Sequence, residues 1–226
     1  MASSQPTLTL IVAATAKNGI GKNGGLPWPM LKKEMAYFAR VTKRLPSPSH
    51  EQNNNNTTTT NSRPPAQNIV IMGRKTWDSI PPKFRPLKDR TNLIISSQAA
   101  ESLSGATHDD VLVAASIEDG LDALLSRARE GKTKPVGRVF VIGGAGIYDA
   151  AMKMKQARRV LLTRVRNEYE CDTHFPVDLD ASGQWVRKSH GELERFVGEE
   201  LADAEVEEVV GDVPVRYRFC LYERDG

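Results

Sequence analysis

An α/β fold built on a mostly parallel sheet is predicted by three features of this 226-residue sequence. Apolar strand-like runs alternate with helix-like segments through residue 165. Several of those runs end in glycine, serine or basic residues just before a helix begins. The tail then switches to strict alternation. The first feature places helices on both faces of a parallel sheet. The second places small and basic groups at the carboxyl ends of strands, where open α/β sheets bind ligands. The third predicts an antiparallel strand at one edge.

The first strand, Leu8–Ala14, is an unbroken apolar run. It feeds a loop, Lys17–Trp28, whose four glycines give it the composition of a mobile lid. A helix over Met30–Arg44 follows. At roughly 100° per residue, Leu31, Met35, Phe38 and Val41 share an apolar arc, and Lys32, Lys33, Ala36 and Arg40 hold the opposite face. Glu34 falls inside the apolar arc. A lone acid there either makes a buried partnership or does chemistry. Residues 46–66, rich in Asn, Thr and Pro, read as a polar surface insertion with almost nothing to bury.

Beyond the insertion, strands are predicted at Asn68–Met72, Thr91–Ser96, Val111–Ala114, Arg138–Ile142 and Arg159–Val165. Helices are predicted at Arg74–Ser79, Ile117–Glu130 and Ala145–Met154. Ser116 is the expected N-cap of the second of these, with Asp119 three residues on. Gln184–Ser189 and Val213–Arg224 read as tail strands. In the latter, Val215, Tyr217, Phe219 and Leu221 alternate with Arg216, Arg218, Cys220 and Tyr222. The acidic stretch 198–212 reads as a long exposed connection in a terminal hairpin that closes the antiparallel edge. The whole chain, residues 1–226, is read as one domain.

Composition excludes several classes of function. Hydrophobic residues make up 39 % and charged residues 26 %, enough for an ordinary core. A net charge of +3 gives no electrostatic case for nucleic-acid binding. No apolar run approaches the roughly 18 residues of a membrane span. The N-terminus has no basic region followed by a cleavage site, so a cytoplasmic location is expected. Cys171 and Cys220 match no metal or redox spacing and read as reduced and structural. The four histidines form no ligand pair, so no metal is expected.

Three segments carry ligand chemistry. RVFVIGGAGIYDAAM runs from a β-branched strand through Gly143, Gly144, Ala145 and Gly146 into a helix. Glycines let a ligand approach the backbone, and a helix N-terminus attracts phosphate. It is not the Rossmann fingerprint, because Asp149 stands where the third glycine belongs. NIVIMGRKTWDSI places Arg74, Lys75 and Thr76 at another helix start, a polyanion site by charge. TNLIISS ends in Ser96 and Ser97, whose hydroxyls suit a phosphate. Ordinary turn chemistry explains any one of these; three at equivalent strand ends point to a nucleotide. Finally, PPKFRPLKDR holds Arg85, Lys88 and Arg90 in a proline-ruled loop. Spacing alone leaves a carboxylate clamp and a solvated basic loop equally open.

Taken together, IVAATAKNGIGKNGGLPWP, the helix with Glu34 and Phe38, IVIMGRKTWDSIP, RPLKDRTNLIISS, VFVIGGAGIY, LLTRV and CDTHFP, with RYRFCLYER in the tail, resemble the dihydrofolate reductase family in its longer eukaryotic, fungal-like form. The resemblance implies an eight-stranded sheet, mainly parallel with an antiparallel edge, and a cis peptide at Gly143–Gly144. It implies NADPH-dependent reduction of 7,8-dihydrofolate to tetrahydrofolate, by hydride transfer to pterin C6 and protonation at N5. Glu34, Leu26, Trp28 and Thr163 would form the catalytic group, with Thr163 hydrogen-bonded to the Glu34 carboxylate.

The same resemblance assigns the binding surfaces. The substrate would lie against Ile11, Val12, Glu34 and Phe38, with Ile80, Pro81 and Leu87 along the trough. Arg90 would clamp the glutamyl α-carboxylate, and Ile142, Tyr148 and Thr163 would border the pterin. On the cofactor side, Ala13, Ile20 and Gly24 would flank the nicotinamide. Thr76 and the backbone from Gly143 and Gly144 through Ala145, Gly146, Ile147 and Tyr148 would hold the pyrophosphate. Arg74, Lys75, Ile95, Ser96 and Ser97 would surround the adenosine 2′-phosphate, which is the reason to name NADPH over NADH. A monomer that binds antifolates is implied, with no nucleic-acid or membrane partner. The alternatives are another pterin or pyrimidine reductase on the same fold and a non-catalytic NADPH-binding regulator.

Overall fold

The computed structural model describes residues 5–46 and 65–225. Most of the insertion expected at 46–66 therefore lies outside the described residues. Six parallel strands form the body of the sheet: β1 (Leu8–Thr15), β3 (Gln67–Gly73), β4 (Arg90–Ile95), β5 (Val111–Ala114), β6 (Val136–Gly143) and β7 (Ala157–Val165). The tail adds β10 (Val206–Val210) and β11 (Val213–Glu223), giving the order β10-β11-β7-β1-β6-β3-β4-β5. β11 runs antiparallel to β7 and β10 antiparallel to β11, and β9 (Val186–Arg187) pairs with the far end of β11. The short β2 (Gly19–Gly21) pairs with β8 (Thr173–His174) in a separate two-stranded sheet.

The sheet is covered on both faces, which explains the continuous apolar runs. One core packs Leu8, Leu10 and Val12 of β1 beneath α3 (Ile117–Arg129) and α4 (Ala145–Lys153). The other packs Ile11, Val70 and Phe140 beneath α1 (Lys32–Lys43), α2 (Arg74–Ser79) and α5 (His190–Val197). Ser116 caps α3 by accepting from Asp119 N–H, as its spacing predicts.

Four expectations need correction. Residues 198–212 are not one exposed connection. Val206–Val210 is a strand, and the acids in and beside it take partners: Glu207 pairs with Arg216 at 2.7 Å, Glu205, just before the strand, pairs with Arg166, and Glu208 is buried. Helix α5 forms where the tail pattern predicts no helix, and Ser189 and Glu192 make a full capping box at its start. Of Gln184–Ser189, only Val186 and Arg187 pair as strand. In α1 the buried face is turned toward Tyr37 and away from Met35, which is 41 % exposed. Tyr37 stacks on Phe219 of β11, ring centroids 4.0 Å apart, and that contact sets the helix rotation.

Candidate active site

Glu34 sits in the first turn of α1 with only 9 % of its surface exposed. Thr163, near the carboxyl end of β7, donates its hydroxyl to Glu34 Oε1 at 3.1 Å. Burial pushes the carboxyl up from 4.5 to about 7, against the opposing pull of the Thr163 hydrogen bond; the Glu208 carboxylate adds to the rise. The acid therefore changes charge near neutral pH. Phe38, one helical turn further, is half-buried, as are Ile80, Leu87 and Ile142, while Pro81 is exposed. Ile11 and Val12 are buried, and Tyr148 donates to the Ile11 carbonyl at 2.7 Å.

The glycine-rich loop after β1 is folded back on the residues around β8. Asn23 N–H donates to Asp172 Oδ2 at 2.7 Å, and Phe175 N–H donates to the Asn18 carbonyl at 2.8 Å. Positive φ at Asn18, Asn23 and Gly24 gives the loop its tight turns. Leu26 is 53 % exposed at its tip, whereas Trp28 is buried against Tyr169, Leu31 and Val165. Ala13 and Ile20 are half-buried at the base of this loop.

The proline-ruled loop sorts its cations in opposite directions. Arg85 runs along Trp77 toward Asp78, Lys88 is exposed, and Arg90 turns inward to 4 % exposure. There Arg90 donates to Thr42 Oγ1 at 2.8 Å and to the Lys88 carbonyl at 3.0 Å, both neutral acceptors. Burial lowers it from 12.5 to about 10. Among the described residues no carboxylate lies within salt-bridge distance of it. A desolvated guanidinium with neutral partners is suited to an incoming carboxylate. Sequence reasoning missed Asn92, fully buried, which donates to and accepts from the Leu87 backbone and so holds this loop. It also missed the cis bond at Arg85–Pro86.

The glycine turn stands at the carboxyl end of β6, with a cis Gly143–Gly144 bond and φ of 113° at Gly143. A Cβ on Gly144 would lie 3.4 Å from Thr76 Oγ1, and one on Gly73 would lie 3.9 Å from Gly144 N. The turns that follow β3 and β6 thus form one small-residue cradle, with the α4 N-terminus behind it. Gly146 has nothing within 4 Å and is exposed, leaving backbone free for a phosphate. Gly73 pairs with Ile95 across β3 and β4, so Arg74 and Lys75 flank Ser96 and Ser97 at the same sheet end. Arg74 meets Asp78 at 3.3 Å, a half-exposed contact that leaves it available. The cradle therefore fits a pyrophosphate and the adjoining basic group fits a further phosphate. Two surface cavities, of about 310 and 650 Å³, open at the opposite end of the sheet and contain none of these residues.

An open, mostly parallel sheet with a phosphate cradle beside a buried acid defines a nucleotide-dependent α/β enzyme. A sequence model of the dihydrofolate reductase family matches residues 59–197. The dihydrofolate reductase of Pneumocystis carinii is 36 % identical over 226 residues, covering 99 % of each chain. That of Rattus norvegicus is 37 % identical over 218 residues, covering 96 % of this chain and 97 % of the relative. The solved Schistosoma mansoni dihydrofolate reductase superposes with a TM-score of 0.69 at 31 % identity, covering 98 % of this chain and all of that one. The chain belongs to the dihydrofolate reductase family.

Proposed function

We infer that Glu34 is the group on which this enzyme's NADPH-dependent reduction of 7,8-dihydrofolate to tetrahydrofolate turns. The observation that carries this is a buried carboxyl, held by Thr163, whose midpoint lies near neutral pH. Such a group can pair with the pterin amino group and N3–H and exchange a proton at working pH. It thereby favours the protonated or enol-like ring state upstream of N5. The final proton reaches N5 through water, because an acid at that ring edge stands too far from N5 to deliver it.

NADPH supplies the hydride for C6 when bound. The protein's part is alignment and exclusion of solvent. Phe38, Leu87 and Ile80 pack the flat ring system, Arg90 fixes the glutamyl tail, and Leu26 and Trp28 belong to the lid that shuts out water. The Gly143–Ile147 backbone and Thr76 hold the pyrophosphate; Arg74, Ser96 and Ser97 hold the 2′-phosphate. Antifolates that mimic the pterin would engage the same acid. Supported by the family match along almost the whole chain, the reading extends to one domain over residues 1–226, acting as a cytoplasmic monomer.

Glu34→Gln is expected to lower turnover on dihydrofolate by about two to four orders of magnitude near neutral pH. Single-turnover stopped-flow, following loss of NADPH absorbance, is the measurement. Near-native hydride transfer in that variant would remove Glu34 from the role.

A further inference from the structure

We infer that Glu208, on the C-terminal hairpin, is a positioning residue for Glu34: it caps the helix that carries this acid and sets a second carboxylate beside it. Helix α1 has no local cap, since Leu31 occupies the N-cap position and offers no polar side chain. Glu208 fills that gap from 175 residues away. Both of its carboxylate oxygens lie 3.1 Å from Lys33 N, the second helical amide, where a capping acceptor belongs. Tyr217 donates its hydroxyl to Glu208 Oε2 at 3.1 Å. The β10–β11 register, with Val206 opposite Tyr217 and Glu208 opposite Val215, makes those two side chains diagonal neighbours. Lys33 Nζ also reaches the Glu207 carbonyl at 3.3 Å. At 8 % exposure Glu208 would be costly without these partners. The positive end of the helix dipole further favours an anion there.

Lys33 directly precedes Glu34, so the cap fixes the backbone from which the acid projects. The charge acts as well. Around Glu34 stand the Thr163 hydroxyl from β7, the Tyr37 phenol on its own helix, the Tyr148 phenol from α4 and the Tyr217 phenol from β11. All three phenols are pushed upward, so they carry no charge at neutral pH. Among the described residues Glu208 is the charged side chain that acts on Glu34, and like charge favours the protonated acid. The hairpin thus helps keep the acid's midpoint near the pH at which the reductase works. Only the kinetic part of this inference rests on the proposed role of Glu34; the cap and the charge are properties of the free protein.

Glu208→Gln tests it, because the amide keeps an acceptor for Lys33 N–H and removes the charge. The first readout is the Glu34 carboxyl midpoint in the free protein, by 13C NMR titration. The second is the pH midpoint of single-turnover hydride transfer. Both are expected to move to lower pH together, with circular dichroism and Tm close to native. Glu208→Asp, which keeps the charge on a shorter stem that reaches Lys33 N–H less well, is expected to keep the midpoint near native and to lower Tm. An unmoved Glu34 midpoint in a folded Glu208→Gln protein would overturn the inference, as would a native Glu34 midpoint and native KM for dihydrofolate in Glu208→Ala. If the NMR midpoint moves and the rate midpoint does not, Glu208 keeps its place and the proton-handling role of Glu34 is what fails.

Discussion

Two buried charges dominate the residue scale, and both are poorly compensated within the protein. Glu34 titrates at 4.5 when free and at about 7 when folded. Between those values the native state binds more protons than the unfolded chain, so stability falls as pH rises through this window. The protonated acid costs little below 4.5; above 7 its ionisation opposes folding by on the order of 3 kcal/mol. Glu34→Gln is therefore expected to be more stable than the native protein at pH 8, by up to about that amount, with the gain gone below pH 4.5. Urea unfolding at the two pH values checks this, and equal differences at both would contradict it. Activity has the same preference, since hydride transfer is expected to fall as pH rises through 7. Arg90 makes the complementary case. Arg90→Gln is expected to raise KM for dihydrofolate by about 10- to 100-fold, the worth of a charge-assisted hydrogen bond. A reducible pterin lacking the glutamate tail should show almost no change, and an equal loss for both would remove the clamp.

At the scale of elements, close approach explains the glycine turn. Gly143 has φ of 113°, and a Cβ there would stand 3.2 Å from the Tyr148 ring, whose hydroxyl is already tied to Ile11. Gly143→Ala is expected to cost about 1–3 kcal/mol in denaturant unfolding, as a side chain forced into a sparsely populated region. Gly146→Ala, in open space within α4, should be neutral or slightly stabilising. What the sequence made legible follows the same division between local and distant causes. The parallel strands, α3 with its Ser116 cap and the out-of-place Glu34 were readable because periodicity and short-range caps leave marks within a few residues. Helix α5 leaves marks too, in the Ser189–Glu192 box and in Leu193 and Val197 four residues apart on its buried side, but the helix is only eight residues long and its apolar side holds few positions. The inward turn of Tyr37, the Asn92 staple and the Glu208 cap were not readable. Each depends on a partner fixed by tertiary packing, and in the last case that partner is 175 residues away. The Arg90 loop was half readable: prolines announced a fixed shape, and only the fold decided which cation faces inward.

Across the whole molecule, protection should follow position in the sheet. Strands β1 and β3 are buried almost throughout, whereas β5 is intermediate along its length and β10 has one buried residue. Hydrogen exchange is expected to be slowest in β1, β3 and β6 and fastest in β5 and β10. Uniform rates across the sheet would mean that the edges and the centre open together. The site spans that gradient: Glu34 and Thr163 depend on β7 and α1, the glycine cradle on β3 and β6, while the helix cap comes from the rim. Strand order has a further consequence for biosynthesis. Leu8–Thr15 emerges first, yet its neighbours are Val136–Gly143 and Ala157–Val165. At about 5–20 residues per second, a ribosome takes several seconds or longer to supply either one. Throughout that interval the nascent chain trails a greasy, β-prone octapeptide with no mate, a natural handle for a holding chaperone and a hazard in an overloaded expression host.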